Sequence, residues 1–314
     1  LNSNELSSGA IHLDFPTPIR TEIEQALGTD ITRVRRPRSG MWEHTYLVGD
    51  RANEWIVRLQ KAPAPRLKRS FVAQQEAASV GMSVPKILAY RLDTSEPEGY
   101  IWIAEEYVCG SEFYPEKLDR EVRLATSVDI GRQLRLLHTV KVNGFGPLTP
   151  DLLNAEHATW GEWLDEQETN IEAAVRIAGI RSEEIPTIRN AYRFLRNSYT
   201  DLPRLCHGDF AADNLLVEGG RLVAAVDWEN ALACDPAYDV AYWCRWHENL
   251  ECLDALLSGY RPREPVGFRQ RVIAHHILLA VDFIVWYEEQ EDQEGVEDCR
   301  KMLRESVENP SDFV

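Results

Sequence analysis

His207-Gly208-Asp209-Phe210-Ala211-Ala212-Asp213-Asn214 is followed by Leu215-Leu216-Val217, a Glu218-Gly219-Gly220-Arg221 turn, the apolar run Leu222-Val223-Ala224-Ala225-Val226, and then Asp227-Trp228. Two short apolar runs around a glycine pair read as a β-hairpin. A hairpin returns the chain to where it left, so Asp227 is expected beside Asn214. The stretch thus gathers two carboxylates and a carboxamide, as phosphoryl transfer from a metal-bound nucleotide requires: the protein holds the metal, positions the attacking hydroxyl and neutralises phosphate charge. Asp209 is the residue expected to accept or orient the hydroxyl proton. Asn214 and Asp227 are the expected ligands of Mg2+, which prefers oxygen donors.

The pattern H-G-D-x-x-x-x-N, then a hairpin and Val226-Asp227-Trp228-Glu229, resembles the catalytic core of the aminoglycoside phosphotransferases, the small-molecule branch of the protein-kinase-like fold. Asp235-Pro236-Ala237-Tyr238-Asp239-Val240-Ala241 is similar to that family's D-P-x-x-D-hydrophobic-A segment. Gly144-Phe145-Gly146-Pro147, with Thr159-Trp160 further on, resembles the linker of the hygromycin B phosphotransferase subgroup. The resemblance implies an α+β, bilobal fold, with a small strand-rich N-terminal lobe over residues 1–109 and a larger, mainly helical lobe over 110–314. It also implies an ATP-dependent kinase acting on a hydroxyl of a small molecule, with GTP as the alternative nucleotide.

Other readings of these residues carry less weight. His207-x-Asp209 could belong to a hydrolase metal site, but the remaining histidines form no second ligand motif such as H-E-x-x-H. His207 reads better as a packed loop residue than as a general base, and Asp213 as a solvated one. Asp235 and Asp239 read as structural: an aspartate opening a helix can cap it, and in related kinases the second braces the catalytic loop.

The N-terminal lobe is read from weaker signals. Thr45 to Val48 and Glu54 to Leu59 flank a polar turn and read as paired strands, Ser70 to Val80 as a helix, and Tyr100 to Val108 as a buried strand. By resemblance that strand leads into a hinge where the backbone near Glu106 and Val108 holds adenine. Ser39-Gly40 lies where a phosphate-covering loop is expected, although it has a single glycine. Arg58 stands where protein kinases place a phosphate-binding lysine; its fork of donors suits phosphate but is not equivalent to an ammonium. Glu76 on the following helix is its expected ion-pair partner. Beyond Gly110 the pattern turns helical, with Ile130, Leu134 and Leu137 at helical spacing, a helix from Trp160 and a long apolar one over Phe268 to Tyr287.

Composition bounds the rest. The chain has 314 residues, a hydrophobic fraction of 44% and a formal net charge of −17. That charge argues against nucleic acid, whose phosphates need Lys and Arg, and suits a cationic small-molecule substrate. Much of the excess sits in Glu288 to Glu294, where a solvated helix face is the better-supported reading and an acidic wall for an amine the sharper one. No apolar stretch reaches spanning length, and Leu1 to Glu5 lacks signal-peptide character, so a cytoplasmic protein, monomer or homodimer, with no membrane contact is expected. Six scattered cysteines without C-x-x-C read as buried thiols. There is no G-x-S-x-G elbow, no P-loop and no dinucleotide fingerprint. Rival acceptors are metabolites such as choline, homoserine, a sugar or a glycated amine, and a rival class is a silent nucleotide-binding scaffold.

Overall fold

The computed structural model describes residues 15–36, 45–94, 99–150, 153–199, 202–245 and 252–308. Helix α1 (Thr17–Leu27) opens on prolines whose missing N–H costs nothing at a first turn, and it ends at Gly28, whose left-handed φ of 69° lets its amide return to the Glu24 carbonyl. Five strands follow: β1 (Arg33–Arg35), β2 (Thr45–Gly49), β3 (Glu54–Lys61), β4 (Ile87–Arg91) and β5 (Tyr100–Glu106), with helix α2 (Pro65–Ser79) between β3 and β4. They form one antiparallel sheet in the order β1-β2-β3-β5-β4.

The unbroken apolar run of β5 is explained by burial on both faces. Trp102 and Ala104 pack with Ile19, Ile23 and Tyr46 on the α1 side. Ile101 and Ile103 point the other way, onto Leu67 and Phe71 of α2. Successive strand residues face opposite sides, so a strand covered twice is apolar throughout. It ends two residues earlier than the sequence suggests. Helix α2 starts five residues earlier, because Pro65 is preset for a first helical turn.

Between Glu106 and Ser111 the chain leaves this sheet: β6 (Ser111–Glu112) pairs with β10 (Leu215–Glu218), which forms the expected hairpin with β11 (Arg221–Ala225). A four-stranded sheet has the order β8 (Ala155–His157), β7 (Phe145–Leu148), β12 (Leu232–Cys234), β9 (Arg204–Cys206). Around these lie α3 (Arg120–Leu137), α4 (Trp160–Glu168), α5 (Asn170–Ile177), α6 (Ile185–Ser198), α7 (Ala237–Trp243), α8 (Leu253–Tyr260), α9 (Pro265–Glu289) and α10 (Gln293–Glu308). Helices α3 and α8 cross at Gly131 and Gly259, where a Cβ on either would collide with the other's backbone. Helix α4 opens on a capping box, Thr159 with Glu162, that closes two orphan amides. Helix α9 is the apolar axis of the C-terminal half, packed against α5, α6, α7 and α10.

Two expectations change in detail. All of the acidic run, residues 288–294, is exposed, but it straddles the break between α9 and α10, where Glu291 has φ 58°, and so does not line one helix face. Five of the six free cysteines are buried, whereas Cys109 is exposed. Among the described residues no helix is long and apolar enough to cross a membrane.

Candidate active site

The site is assembled by the hairpin and by helix α7. Gly219 and Gly220 both have positive φ, 56° and 76°, as a two-residue hairpin turn of the primed type needs. The strands close with Val226 N–H donating to the Asn214 carbonyl at 2.9 Å, which sets Asp227 next to Asn214. Asp227 itself is left-handed, φ 63°, a conformation aspartate tolerates better than most residues but at a cost of about 1–3 kcal/mol. The helical turn Trp228–Asn230 follows directly.

The loop is held from below by a single buried carboxylate. Asp239 Oδ2 accepts the His207 amide at 2.8 Å and Oδ1 accepts the Gly208 amide at 3.0 Å, while His138 Nε2 lies 3.1 Å from Oδ2 and its Nδ1 lies 3.0 Å from the Tyr260 hydroxyl. Gly208 has φ +83°, and a Cβ there would overlap the Asn230 carbonyl, so only glycine fits. His207 is fully buried: its Nε2 bonds the Val226 carbonyl at 2.9 Å, its Nδ1 takes the Asp209 amide at 3.3 Å, and its ring packs on Trp228. Its ring nitrogens are thus committed to holding the loop. Asp235, four residues before Asp239, has a similar bracing role, accepting the Ala237 amide, Arg271 Nε at 2.8 Å and His275 Nε2 at 3.3 Å. Burial opposes its charge, but His275 and Arg271 prevail and hold the carboxyl below its ordinary range.

Above this frame Asp209 is partly exposed. Its carboxylate takes the Tyr242 hydroxyl and, at 3.4 Å, the Asn230 amide. Burial and the Asp209 charge push the Tyr242 hydroxyl well above its usual pKa, so it remains a donor. Asn214 Nδ2 donates to the Asp209 carbonyl at 2.9 Å, which fixes the amide so that its Oδ1 is turned away from that bond. Asp213 is exposed; desolvation and the neighbouring Asp209 charge raise its pKa. Asn214 Oδ1 and the Asp227 carboxylate are hard oxygen donors of the kind Mg2+ takes, on residues that the Val226–Asn214 backbone bond brings side by side. Glu229, 3% exposed, adds a carboxylate with one oxygen buried and unbonded among the described residues. In the sequence Glu229 shows only as the tail of the Val226-to-Glu229 string, and the only signal of Tyr242 is its place one turn beyond Asp239; neither was expected at the site.

Arg58 requires a correction. Its guanidinium bonds Glu105 at 2.9 Å, Ser70 at 2.8 Å and Gln74 at 3.2 Å, and Glu76 is not its partner. Ser70 and Gln74 are one helical turn apart on the face of α2 turned to the sheet; Glu76 lies about 200° round from Gln74 at 3.6 residues per turn. Burial disfavours the Arg58 charge, yet Glu105, Glu229 and Asp227 together hold its pKa above the ordinary value. Glu229 also accepts from Gln60 Nε2 at 3.4 Å, and Arg69 of α2 donates to the Leu148 carbonyl at 2.8 Å and the Glu229 carbonyl at 3.4 Å. These contacts dock β3 and α2 onto the turn after Asp227.

Glu106 ends β5 with its amide donating to the Lys86 carbonyl and its side chain accepting the Lys86 amide, so the end of the strand is tied to the entry of β4. Val108 is half-buried in the irregular segment beyond. Ser39 and Gly40 lie outside the described residues.

The profile of the phosphotransferase enzyme family matches residues 33–270. Hygromycin-B 4-O-kinase of Escherichia coli is 25% identical over 159 residues, 45% of this chain and 42% of that protein. Acyl-CoA dehydrogenase family member 11 of Pongo abelii is 25% identical over 204 residues, 57% of this chain and 23% of that protein. The chain therefore matches less than half the length of either. Among solved structures, a thermostable mutant of aminoglycoside phosphotransferase APH(4)-Ia in ternary complex with AMP-PNP and hygromycin B superposes with a TM-score of 0.71 at 16% identity, covering 94% of this chain and 99% of that one. The fold is kinase-like, and over more than half its length the chain matches one family: it is a member of the phosphotransferase enzyme family.

Proposed function

We propose that this protein transfers the γ-phosphoryl group of ATP to a hydroxyl of a cationic small molecule of the aminoglycoside type. The observation that carries the reading is the clustering of Asp209, Asn214 and Asp227: the Asn214 side chain is tied to the Asp209 carbonyl, and the Asn214 carbonyl to the Val226 amide beside Asp227. In this reading Asp209, kept in place by Tyr242 and Asn230, accepts the proton of the attacking hydroxyl. Asn214 and Asp227 hold Mg2+, which when bound neutralises phosphate charge. Arg58 acts indirectly: locked to Glu105, it sets a positive charge near Asp227 and Glu229. The backbone near Glu106 and Val108 receives adenine, and the two lobes divide at residues 109 and 110. The match to hygromycin-B 4-O-kinase and the formal charge of −17 support the choice of an amine-bearing acceptor.

The test is Mg2+-dependent ADP production from ATP, with GTP in parallel, across hygromycin B, other aminoglycosides, choline, homoserine, amino sugars and neutral sugars. Stimulation by an aminoglycoside that disappears in Asp209→Ala supports the proposal. Stimulation only by a metabolite reassigns the acceptor. Nucleotide binding with no turnover of any acceptor favours a silent scaffold.

A further inference from the structure

Helix α2 belongs to both halves of the molecule. Leu67 and Phe71 pack on Ile101 and Ile103 of the N-terminal sheet, whereas Ala73 and Ala77 lie in the large core of the C-terminal half. Residues four apart share a helix face, so Arg69, one turn before Ala73, stands on the stripe turned to the C-terminal half. Its side chain is mostly buried there and reaches three elements at once. Nε donates to the Leu148 carbonyl at the end of β7 at 2.8 Å, Nη1 donates to the Glu229 carbonyl at 3.4 Å, and Nη2 lies 3.5 Å from the Glu156 carboxylate of β8.

Glu229 is the middle residue of the helical turn Trp228–Asn230, and that turn joins the two carboxylates of the site. Asp227 precedes it in the left-handed region, φ 63°. Asn230 ends it, with its side-chain amide 3.4 Å from the Asp209 carboxylate and its carbonyl so close to Gly208 that no Cβ fits between them. Just beyond the turn, the Leu148 amide donates to the Ala231 carbonyl at 3.3 Å. Arg69, Leu148, Ala231 and Glu229 thus form a closed ring of bonds around the turn. From inside, the turn is anchored by Trp228, which is fully buried and whose Nε1 donates to the Ala225 carbonyl at 3.0 Å. From outside, Arg69 clasps its main chain.

We infer that Arg69 is a positioning residue of the phosphotransfer site: it clasps the turn between Asp227 and Asn230 and so sets where the metal-binding carboxylate sits relative to Asp209. A planar fork of N–H donors holds two carbonyls of different elements at fixed angles, which an ammonium on a flexible stem does not. Without the fork, the Glu229 peptide is free to rotate, and the strained left-handed residue just before the turn relaxes with it. This inference rests on the phosphotransfer proposed above and adds to it a residue that acts through the turn after Asp227.

The experiment compares Arg69→Met, which keeps the stem, and Arg69→Lys, which keeps the charge, with the wild-type chain. Calorimetry measures ADP binding without metal and Mg2+ binding at saturating ADP. Steady-state kinetics follow ADP production with the acceptor of the panel that is turned over fastest, and thermal melting runs alongside. In Arg69→Met the Kd for Mg2+ and the Mg2+ concentration for half-maximal turnover should rise about 10- to 100-fold, while the Kd for metal-free ADP and the acceptor KM stay within about twofold. Arg69→Lys should fall between this variant and wild type, and it carries the comparison if Arg69→Met does not fold. An unchanged Mg2+ dependence overturns the assignment and leaves the phosphotransfer reading standing. A loss that weakens metal-free ADP and Mg2+ alike, in step with melting temperature, makes Arg69 a fold contact only and overturns it as well. If the wild-type chain binds Mg2+ with ADP but turns over no acceptor, the phosphotransfer reading fails and the calorimetry still decides whether Arg69 sets the metal site. No Mg2+ binding with ADP in the wild-type chain overturns both.

Discussion

The catalytic loop with its hairpin and the cluster around Arg58 are both buried polar networks, yet they are built on opposite principles. The first is wired within a short stretch: His207 reaches Val226, Asn214 reaches Asp209, and Asp239 takes the amides of His207 and Gly208. The second is gathered from afar, with Arg58 meeting Ser70 and Gln74 on a helix and Glu105 on another strand. A network most of whose bonds fall within one short segment, with only His138, itself bonded to Tyr260, joining Asp239 from outside it, shows as a motif. One assembled by tertiary packing leaves only single residues in the sequence, and its pairing is decided by helix phase.

The sharpest break of this comparison is Asp209→Ala, which should lower kcat by about 10²- to 10⁴-fold while costing only about 1–3 kcal/mol of stability, since the partly exposed side chain gives up its contacts with Tyr242 and Asn230 but holds no other element in place. Asp239→Asn should do the reverse. It turns an amide N–H toward one of three donors, and should cost about 3–5 kcal/mol of stability by urea denaturation, with activity falling as the loop loosens. If it melts like wild type, the bracing role is refuted. Glu105→Gln keeps an acceptor for Arg58 but removes the charge, for a loss of about 1.5–3 kcal/mol in the same assay.

A pH experiment reads Asp282 of α9, whose Oδ1 accepts Asn170 Nδ2 at 2.9 Å, in isolation. Desolvation raises its folded pKa to about 7, above the ordinary 3.8, so between those values the folded chain binds the extra proton. Stability contributed by the neutral acid is therefore fully present below the ordinary value and is lost as pH rises toward 7. Tyr192 and Tyr238, whose pKa values burial and then the Asp282 charge raise well above the ordinary one, stay neutral throughout this window. Melting temperature against pH should show that decline in the wild-type chain and a flatter profile in Asp282→Asn; parallel profiles would place the carboxylate in open solvent. The smallest effect belongs to Glu76→Ala. With Arg58 paired elsewhere, it should stay within about 0.5 kcal/mol of wild type, and a larger loss would restore Glu76 as a partner.

Much of the fold was legible for a simple reason. Period-two alternation, apolar runs and glycine turns are local, so the β10–β11 hairpin, the doubly covered strand β5 and helix α3 could be read directly. The four-stranded sheet could not, because β7, β8, β9 and β12 are three or four residues long and β12 pairs with a strand far back in the chain. The nearness of Asp209, Asn214 and Asp227 to one another was legible because the spacing of the loop and its hairpin is itself the geometry. The places of Tyr242 and Glu229 were not, since each owes its position to a packed helix or turn.

The sequence by itself determined that two carboxylates and a carboxamide would meet at the end of a hairpin, because a two-residue glycine turn pins the register of the strands it joins. Only the tertiary structure decided that Arg58 belongs to Glu105, that Tyr242 reaches Asp209 and that Asp282 takes the Asn170 amide. Those pairings depend on the rotation of α2, α7 and α9 against their neighbours, and a few tens of degrees of helix phase, fixed by core packing, selects which side chain arrives.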